Sequence, residues 1–250
     1  MQLYIIRHGQ SFNNALWAKT GNYNGRLADP HLTELGEKQA YCLGQYIAQA
    51  DQNGKPGVAI DQHNRFGYHF THLYTSFMLR AVQTGHAIAS ALDLPLIPWE
   101  CIHERGGIYL DDPETGEPIS LPGGNRAFFA ERFPRLVIPD WLQEQGWWHA
   151  RPYEQRVESV NRARKFLKEL IERHGNTDDR VAIITHGGFI YMLQYVIFRP
   201  EKSECTLVED AAHTWLCTSN TSVSRIDFEN NRLIQTYMNR VDHLPTEIIT

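Results

Sequence analysis

Three places in the chain set arginine, histidine and glycine where a short apolar run gives way to a helical pattern. Arg7-His8-Gly9 follows QLYII, Arg80 follows THLYTS, and His186-Gly187-Gly188 follows VAIIT. Polar residues closing a buried strand are costly inside a core and useful at its mouth. Their types suit one kind of chemistry. Guanidinium groups present a rigid fork of donors that matches phosphate, and a neutral imidazole is a competent nucleophile near pH 7. Two arginines and a second, protonated histidine can together neutralise the charge of a transferring phosphoryl group. The glycines let backbone approach an anion and turn sharply into the next helix.

The elements that must bring these residues together follow a βα rhythm. QLYII (residues 2–6) reads as a buried strand, and Thr33 caps the amphipathic stretch TELGEKQAYCLGQYIAQA, which ends near the polar turn DQNGKPG. THLYTS at 71–76 feeds the helical LRAVQTGHAIASALD, closed by Leu94-Pro95. In YEQRVESVNRARKFLKELIERHG, Val157, Val160, Ala163, Leu167, Leu170 and Ile171 share one face, and Gly175 marks the stop. VAIIT at 181–185 is a continuous apolar run suited to a strand covered on both faces, and GGFIYMLQYVIF continues as helix. TSVSRIDF and LIQTYM flank Glu229-Asn230-Asn231-Arg232 as a hairpin at the sheet edge.

This alternation predicts a single domain over residues 1–250 of class α/β, three-layer α/β/α, with a mostly parallel sheet. In such a sheet the βα junctions share one edge, so the two histidines and two arginines converge. Residues 105–153 break the rhythm with PETGEPISLPGG, FFAERFP and GWWHARPY, and hold at most short helices around Asn125–Phe133 and Pro139–Gln145. Such an excursion is expected as an insertion capping the carboxyl edge.

At 250 residues and 42% apolar content the chain can bury a sizeable core. A net charge of −5 without a basic run argues against a nucleic-acid or membrane partner, and leaves room for a small anionic ligand. Cys42, Cys101, Cys205 and Cys217 are scattered without CxxC spacing, which predicts reduced structural thiols. There is no apolar stretch of about 18 residues, and the first motif begins seven residues in, so a cytoplasmic protein is expected. Asn220-Thr221-Ser222 would then match the glycosylation pattern by chance. A metal site finds little support: His69 and His72 are three apart near a strand, where neighbouring side chains alternate faces, and His103-Glu104 does not extend to HExxH. Asp61, His63 and His69 read as solvated loop residues.

In this order and spacing, IIRHGQSFNN, DPHLTELGEKQA, LYTSFMLRAVQT and VAIITHGG resemble the histidine phosphatase superfamily, which includes the cofactor-dependent phosphoglycerate mutases. The resemblance implies a phosphohistidine mechanism. His8 matches the nucleophile, Arg7 and Arg80 the phosphate clamp, and His186 the second histidine that binds phosphoryl oxygens. Asn14 matches the phosphate-pocket asparagine, and Gly187 offers a backbone N–H. The family's proton donor falls in PWECIHERGGIY at Glu104, with Glu100, Asp111 and Asp112 as local competitors. The implied activity is that of a metal-independent phosphomonoesterase acting on a small phosphorylated metabolite, with no cofactor.

Two rivals stand beside it. A mutase would carry adjacent arginines in its insertion, a His-Gly-Asn turn and glutamate at position 10, whereas this chain has no Arg-Arg pair, Gly188 and Gln10. A non-catalytic phosphate binder would have no use for a proton donor. Singly, Arg7 or Arg80 could be a surface ion pair, and His186 could merely bond a carbonyl. The insertion aromatics, Trp147 and Trp148 among them, could pack a subdomain or wall the pocket. Arg126, Arg151 and Arg156 could contact a second charge or lie on the surface.

Overall fold

The apolar run at the start of the chain folds as strand β1 (Gln2–Arg7) at the heart of a six-stranded sheet. In the computed structural model, which describes residues 1–53, 61–142, 144–199, 216–230 and 232–250, the remaining strands are β2 (His72–Thr75), β3 (Ile97–Pro98), β6 (Arg180–Thr185), β7 (Val223–Glu229) and β8 (Arg232–Arg240). The order is β3-β2-β6-β1-β7-β8; the pairs from β3 to β1 are parallel, and β7 and β8 add antiparallel. A separate hairpin joins β4 (Tyr109–Asp111) to β5 (Pro118–Ser120).

Side chains alternate across a strand, and here the alternation builds two cores. Tyr4, Ile6, Ala182 and Ile184 face the layer of α2 (Glu34–Asn53) and α3 (Leu79–Leu92). Leu3, Ile5, Val181 and Ile183 face α5 (Arg156–His174) and α6 (Gly187–Phe198). β6 is buried on both faces, which is why VAIIT has no polar alternation. Two further helices, α1 (Phe12–Thr20) and α4 (Arg126–Arg132), lie outside this rhythm. Thr33 caps α2 as expected, its Oγ1 accepting from the Gly36 N–H at 3.1 Å.

Two expectations need correction. On α5, Val157 and Ile171 are 41% and 43% exposed, while Phe166 and His174 are buried with Val160, Ala163 and Leu170. The stripe is rotated because His174 finds internal partners, Asp179 Oδ2 at 2.8 Å and the Tyr74 hydroxyl at 3.1 Å. His72 joins this group, with Nδ1 3.8 Å from Asp179 Oδ1. Secondly, Pro139–Gln145 is not a helix in its described residues; the Leu142 N–H closes a turn on the Pro139 carbonyl at 3.1 Å.

The 105–153 insertion contributes apolar side chains to the core on the α2–α3 side. Ile108, Phe129, Leu136, Leu142, Trp147 and Trp148 join the core that holds Phe77, and the Trp147 ring stacks on Phe77 at 5.8 Å. That much aromatic surface is worth more to the fold buried than as a rim in water. Cys42, Cys101 and Cys217 are free thiols; Cys205 and the end of the DQNGKPG turn lie outside the described residues. No helix among the described residues is long and apolar enough to cross a membrane.

Candidate active site

Register brings the histidines together. Arg7 lies opposite Thr185 in the parallel pair β1–β6, so the residue after each strand, His8 and His186, leaves the sheet at the same level. Their rings are 5.1 Å apart. The His8 N–H donates to the Thr185 carbonyl at 3.0 Å, and the His8 carbonyl accepts from Asn220 Nδ2 at 2.9 Å.

The partners of the His8 ring set its tautomer. Nδ1 lies 2.6 Å from the Gly9 carbonyl, which can only accept, so Nδ1 carries the proton. Nε2 lies 3.1 Å from Arg80 Nε, which can only donate, so Nε2 presents its lone pair. Burial, then the Arg80 and Arg7 charges, hold the His8 pKa well below the usual histidine value. The His8 ring therefore points an unprotonated Nε2 at a guanidinium.

Arg80 sits in the first turn of α3. Besides His8, its Nη1 lies 3.8 Å from Asp29 Oδ1 and its Nη2 contacts Met78 Sδ at 3.3 Å. Asp29 also accepts from the Leu79 N–H at 3.0 Å, capping a helix whose own N-cap residue, Met78, offers no capping side chain. Burial pushes the Asp29 carboxyl up to about 6 against the opposing pull of Arg80 and that N–H. Sequence reasoning missed Asp29. The available signal was DPHLT set against a helix start without a capping residue of its own.

Glu104 follows the short 3-10 turn Glu100–Ile102. Its Oε2 accepts from the Gly188 N–H at 3.2 Å and its Oε1 from the Arg105 N–H at 2.8 Å, so the carboxylate occupies the N-terminus of α6. The loop is locked from α5: Arg162 Nη1 donates to the Cys101 and His103 carbonyls at 2.8 and 2.9 Å. Its Nε and Nη2 pair with both oxygens of Glu154 at 2.5 and 2.7 Å. The competitors lie elsewhere. Glu100 pairs with Arg151 at 2.6 Å, Asp111 is exposed on β4, and Asp112 accepts from the Glu114 and Thr115 N–H groups in a turn.

Arg7 donates to the Thr218 carbonyl, and its Nε is buried without a partner. Burial lowers its pKa, opposed by Glu104. Asn14 Oδ1 accepts from the Ser11 N–H at 3.1 Å, from Ser11 Oγ at 3.0 Å and from Asn220 Nδ2 at 3.3 Å. Arg7, His8, Asn14, Arg80, Glu104 and Gly187 all line one cavity of about 310 Å³.

His186 is not on that wall. It is wholly buried, with Nε2 held by Ser76 Oγ at 2.9 Å and Nδ1 lacking a partner. Pairing of β2 with β6 places Ser76 at this level, and Gly187 and Gly188 take the cavity side instead. Burial, Arg80 and His8 hold the His186 pKa well below normal, so this histidine is neutral rather than protonated here.

The rest of the wall includes Tyr23, Arg26, Arg105, Tyr109, Arg156 and Met192. Arg26 stacks over the Tyr109 ring at 4.0 Å and donates to the Tyr109 carbonyl. Tyr23 and Arg26 come from the irregular loop between α1 and α2, which no periodicity singles out. Trp147 and Trp148 are 2% and 4% exposed and serve packing, and Arg126 donates to the Pro139 and Leu142 carbonyls at 2.8 and 3.3 Å. Gln10 also turns inward, its Oε1 accepting from Thr33 Oγ1 at 2.8 Å. Asn220, the chance glycosylation match, is buried behind the loop that carries His8.

The fold is three-layer α/β, with two arginines and two histidines gathered at one edge of its sheet, and comparison with known proteins identifies the family. The chain belongs to the histidine phosphatase superfamily, branch 1, whose profile matches residues 3–53 and 123–240. It is 29% identical over 143 residues to a 2,3-bisphosphoglycerate-dependent phosphoglycerate mutase of Tropheryma whipplei, covering 56% of this chain and 50% of the relative. It is 30% identical over 140 residues to the Porphyromonas gingivalis mutase, covering 56% and 45%. The chain thus spans about half the length of the curated relatives it matches. Among solved structures, phosphoserine phosphatase of Entamoeba histolytica in complex with 3-phosphoglyceric acid superposes with TM-score 0.57 at 20% identity, over 98% of this chain and 99% of that one. A mycobacterial glucosyl-3-phosphoglycerate phosphatase complexed with VO3 gives 0.55 at 18%, over 95% and 98%. At those identities the likeness is one of fold.

Proposed function

We propose that this chain is a phosphomonoesterase that hydrolyses a small phosphorylated substrate through a phosphohistidine, without a metal. The observation that carries the reading is the His8 ring, whose Nε2 lone pair is fixed by the Gly9 carbonyl on one side and addressed by Arg80 on the other. As the phosphate enters, the Arg80 guanidinium turns from Nε2 to the phosphoryl oxygens, which frees the lone pair and supplies charge at the same moment. Nε2 attacks phosphorus, the bond to the ester oxygen breaks, and Glu104, which enters the step protonated beside the anionic substrate, gives that oxygen its proton. Water then attacks the phosphohistidine, Glu104 takes its proton, and the P–N electron pair returns to Nε2. Arg7, Arg80, Asn14 and the Gly187 N–H hold the equatorial oxygens. His186, its ring 5.1 Å from that of His8, packs behind the nucleophile.

Arg26, Arg105 and Arg156 on the same wall favour a substrate with a second anionic group. The solved relatives named above act on or bind phosphoserine, 3-phosphoglyceric acid and a glucosyl-3-phosphoglycerate by their names, each a phosphate ester with a carboxylate. The sequence relatives, being mutases, keep transfer between hydroxyls as the second reading. One experiment separates them: phosphate release in EDTA from a panel including phosphoserine and 3-phosphoglycerate, for wild type and His8→Ala. Release that persists in EDTA and vanishes in the variant, with acid-labile label on His8, supports hydrolysis. Isomerised phosphoglycerate without release selects the mutase, and no reaction with any ester selects a binding protein.

A further inference from the structure

α6 begins Gly187-Gly188, and the second glycine is unexplained by phosphate contact or backbone geometry. Glycine in a helix is disfavoured relative to alanine, since it gives up more chain freedom on folding. A β-carbon on Gly187 would meet nothing nearer than Arg7 Nε at 3.6 Å, an ordinary contact. On Gly188 it would fall 2.3 Å from Glu104 Oε1 and 3.1 Å from the carboxyl carbon. The Gly188 N–H is itself the donor to Glu104 Oε2 at 3.2 Å.

We propose that Gly188 is the positioning residue for the general acid: the missing side chain lets the Glu104 carboxylate seat on the first turn of α6, and any β-carbon there displaces it. The inference rests on the reading of Glu104 as the proton donor. What a β-carbon strikes is the far end of a flexible side chain rather than backbone, so the carboxylate gives way and the fold does not. Arg162 and Glu154 hold the loop backbone in place, so the displacement is confined to the side chain.

A displaced acid has a signature that general damage lacks. An alkyl ester must have its leaving oxygen protonated, whereas 4-nitrophenolate departs unaided. The test is kcat/KM, which reports phosphorylation of His8, for wild type, Glu104→Gln and Gly188→Ala on 4-nitrophenyl phosphate and on the best alkyl phosphate of phosphoserine, 3-phosphoglycerate and glycerol 1-phosphate, alongside thermal melting. Gly188→Ala is expected to lose about 30-fold or more on the alkyl ester, less than about threefold on 4-nitrophenyl phosphate, and to melt no lower than wild type. Equal losses on both esters, no loss on either, or a lower melting point would overturn the proposal. Selectivity in Glu104→Gln without selectivity in Gly188→Ala sinks the role of Gly188 alone. Absence of selectivity in Glu104→Gln itself overturns the acid reading and this proposal with it.

Discussion

His8 is kept neutral by surroundings that leave no room for a second proton, with a carbonyl on one ring nitrogen and a guanidinium on the other. Burial and the neighbouring guanidinium groups lower the His8 pKa, so an acid limb in the kcat/KM profile is expected to come from another group. Asp29 is a candidate, because its carboxyl is pushed up to about 6 and its ionised form holds Arg80. Activity is expected to fall as the pH drops through about 6, where the carboxylate takes its proton. In Asp29→Asn that inflection should be absent from the kcat/KM profile and the plateau lower; a variant that keeps the wild-type inflection assigns the limb elsewhere. Arg80→Ala removes a preorganised donor worth roughly 3–4 kcal/mol of barrier, so steady-state turnover is expected to drop about a hundredfold or more. A loss under threefold would refute the clamp.

At the scale of elements, the loop that carries His8 is held by close backbone approach. A β-carbon on Gly36, in the first turn of α2, would stand 2.1 Å from the Gln10 carbonyl oxygen, and one on Gly9 would stand 2.5 Å from the Gly36 carbonyl oxygen. Here, unlike at Gly188, the obstacle is backbone. Gly36→Ala must push the loop that carries His8, and is expected to cost about 1–3 kcal/mol in stability, as overpacking does, together with activity on every ester alike. Urea melts and kcat/KM on 4-nitrophenyl phosphate check this; an active variant of wild-type stability would show that the loop yields freely. Thr33, Gly36 and the α2 pattern were legible in TELGEKQAYCLGQYIAQA as a capped helix. That the same glycine abuts Gln10, 26 residues earlier in the chain, was not, because proximity across elements leaves no mark in local periodicity.

Across the whole molecule, His8, His103 and His186 are buried and all held well below the ordinary histidine pKa, burial being the main cause. Below about pH 6.5 the unfolded chain binds a proton at each of these sites before the folded protein does, so stability is lost as the pH falls. Asp29 acts in the opposite sense: raised from 3.8 to about 6, it takes its proton first in the folded state and gives back stability over that window. Three groups outweigh one, and the net expectation is a urea midpoint that is flat above pH 7 and falls between pH 6.5 and 5. A midpoint that rose on acidification would overturn this balance. The sheet that imposes this burial was foreseeable from the alternation of strand and helix patterns. By itself the sequence determined the order of elements, the βα junctions and the residue types gathered there, because these follow from hydrophobic period and from glycine and proline, which act locally. Only the tertiary structure decided that His186 stands off the cavity wall, that Asp29, Asn220, Tyr23 and Arg26 belong to the site, and that the tryptophans do not, because strand register and packing between distant segments set which atoms meet.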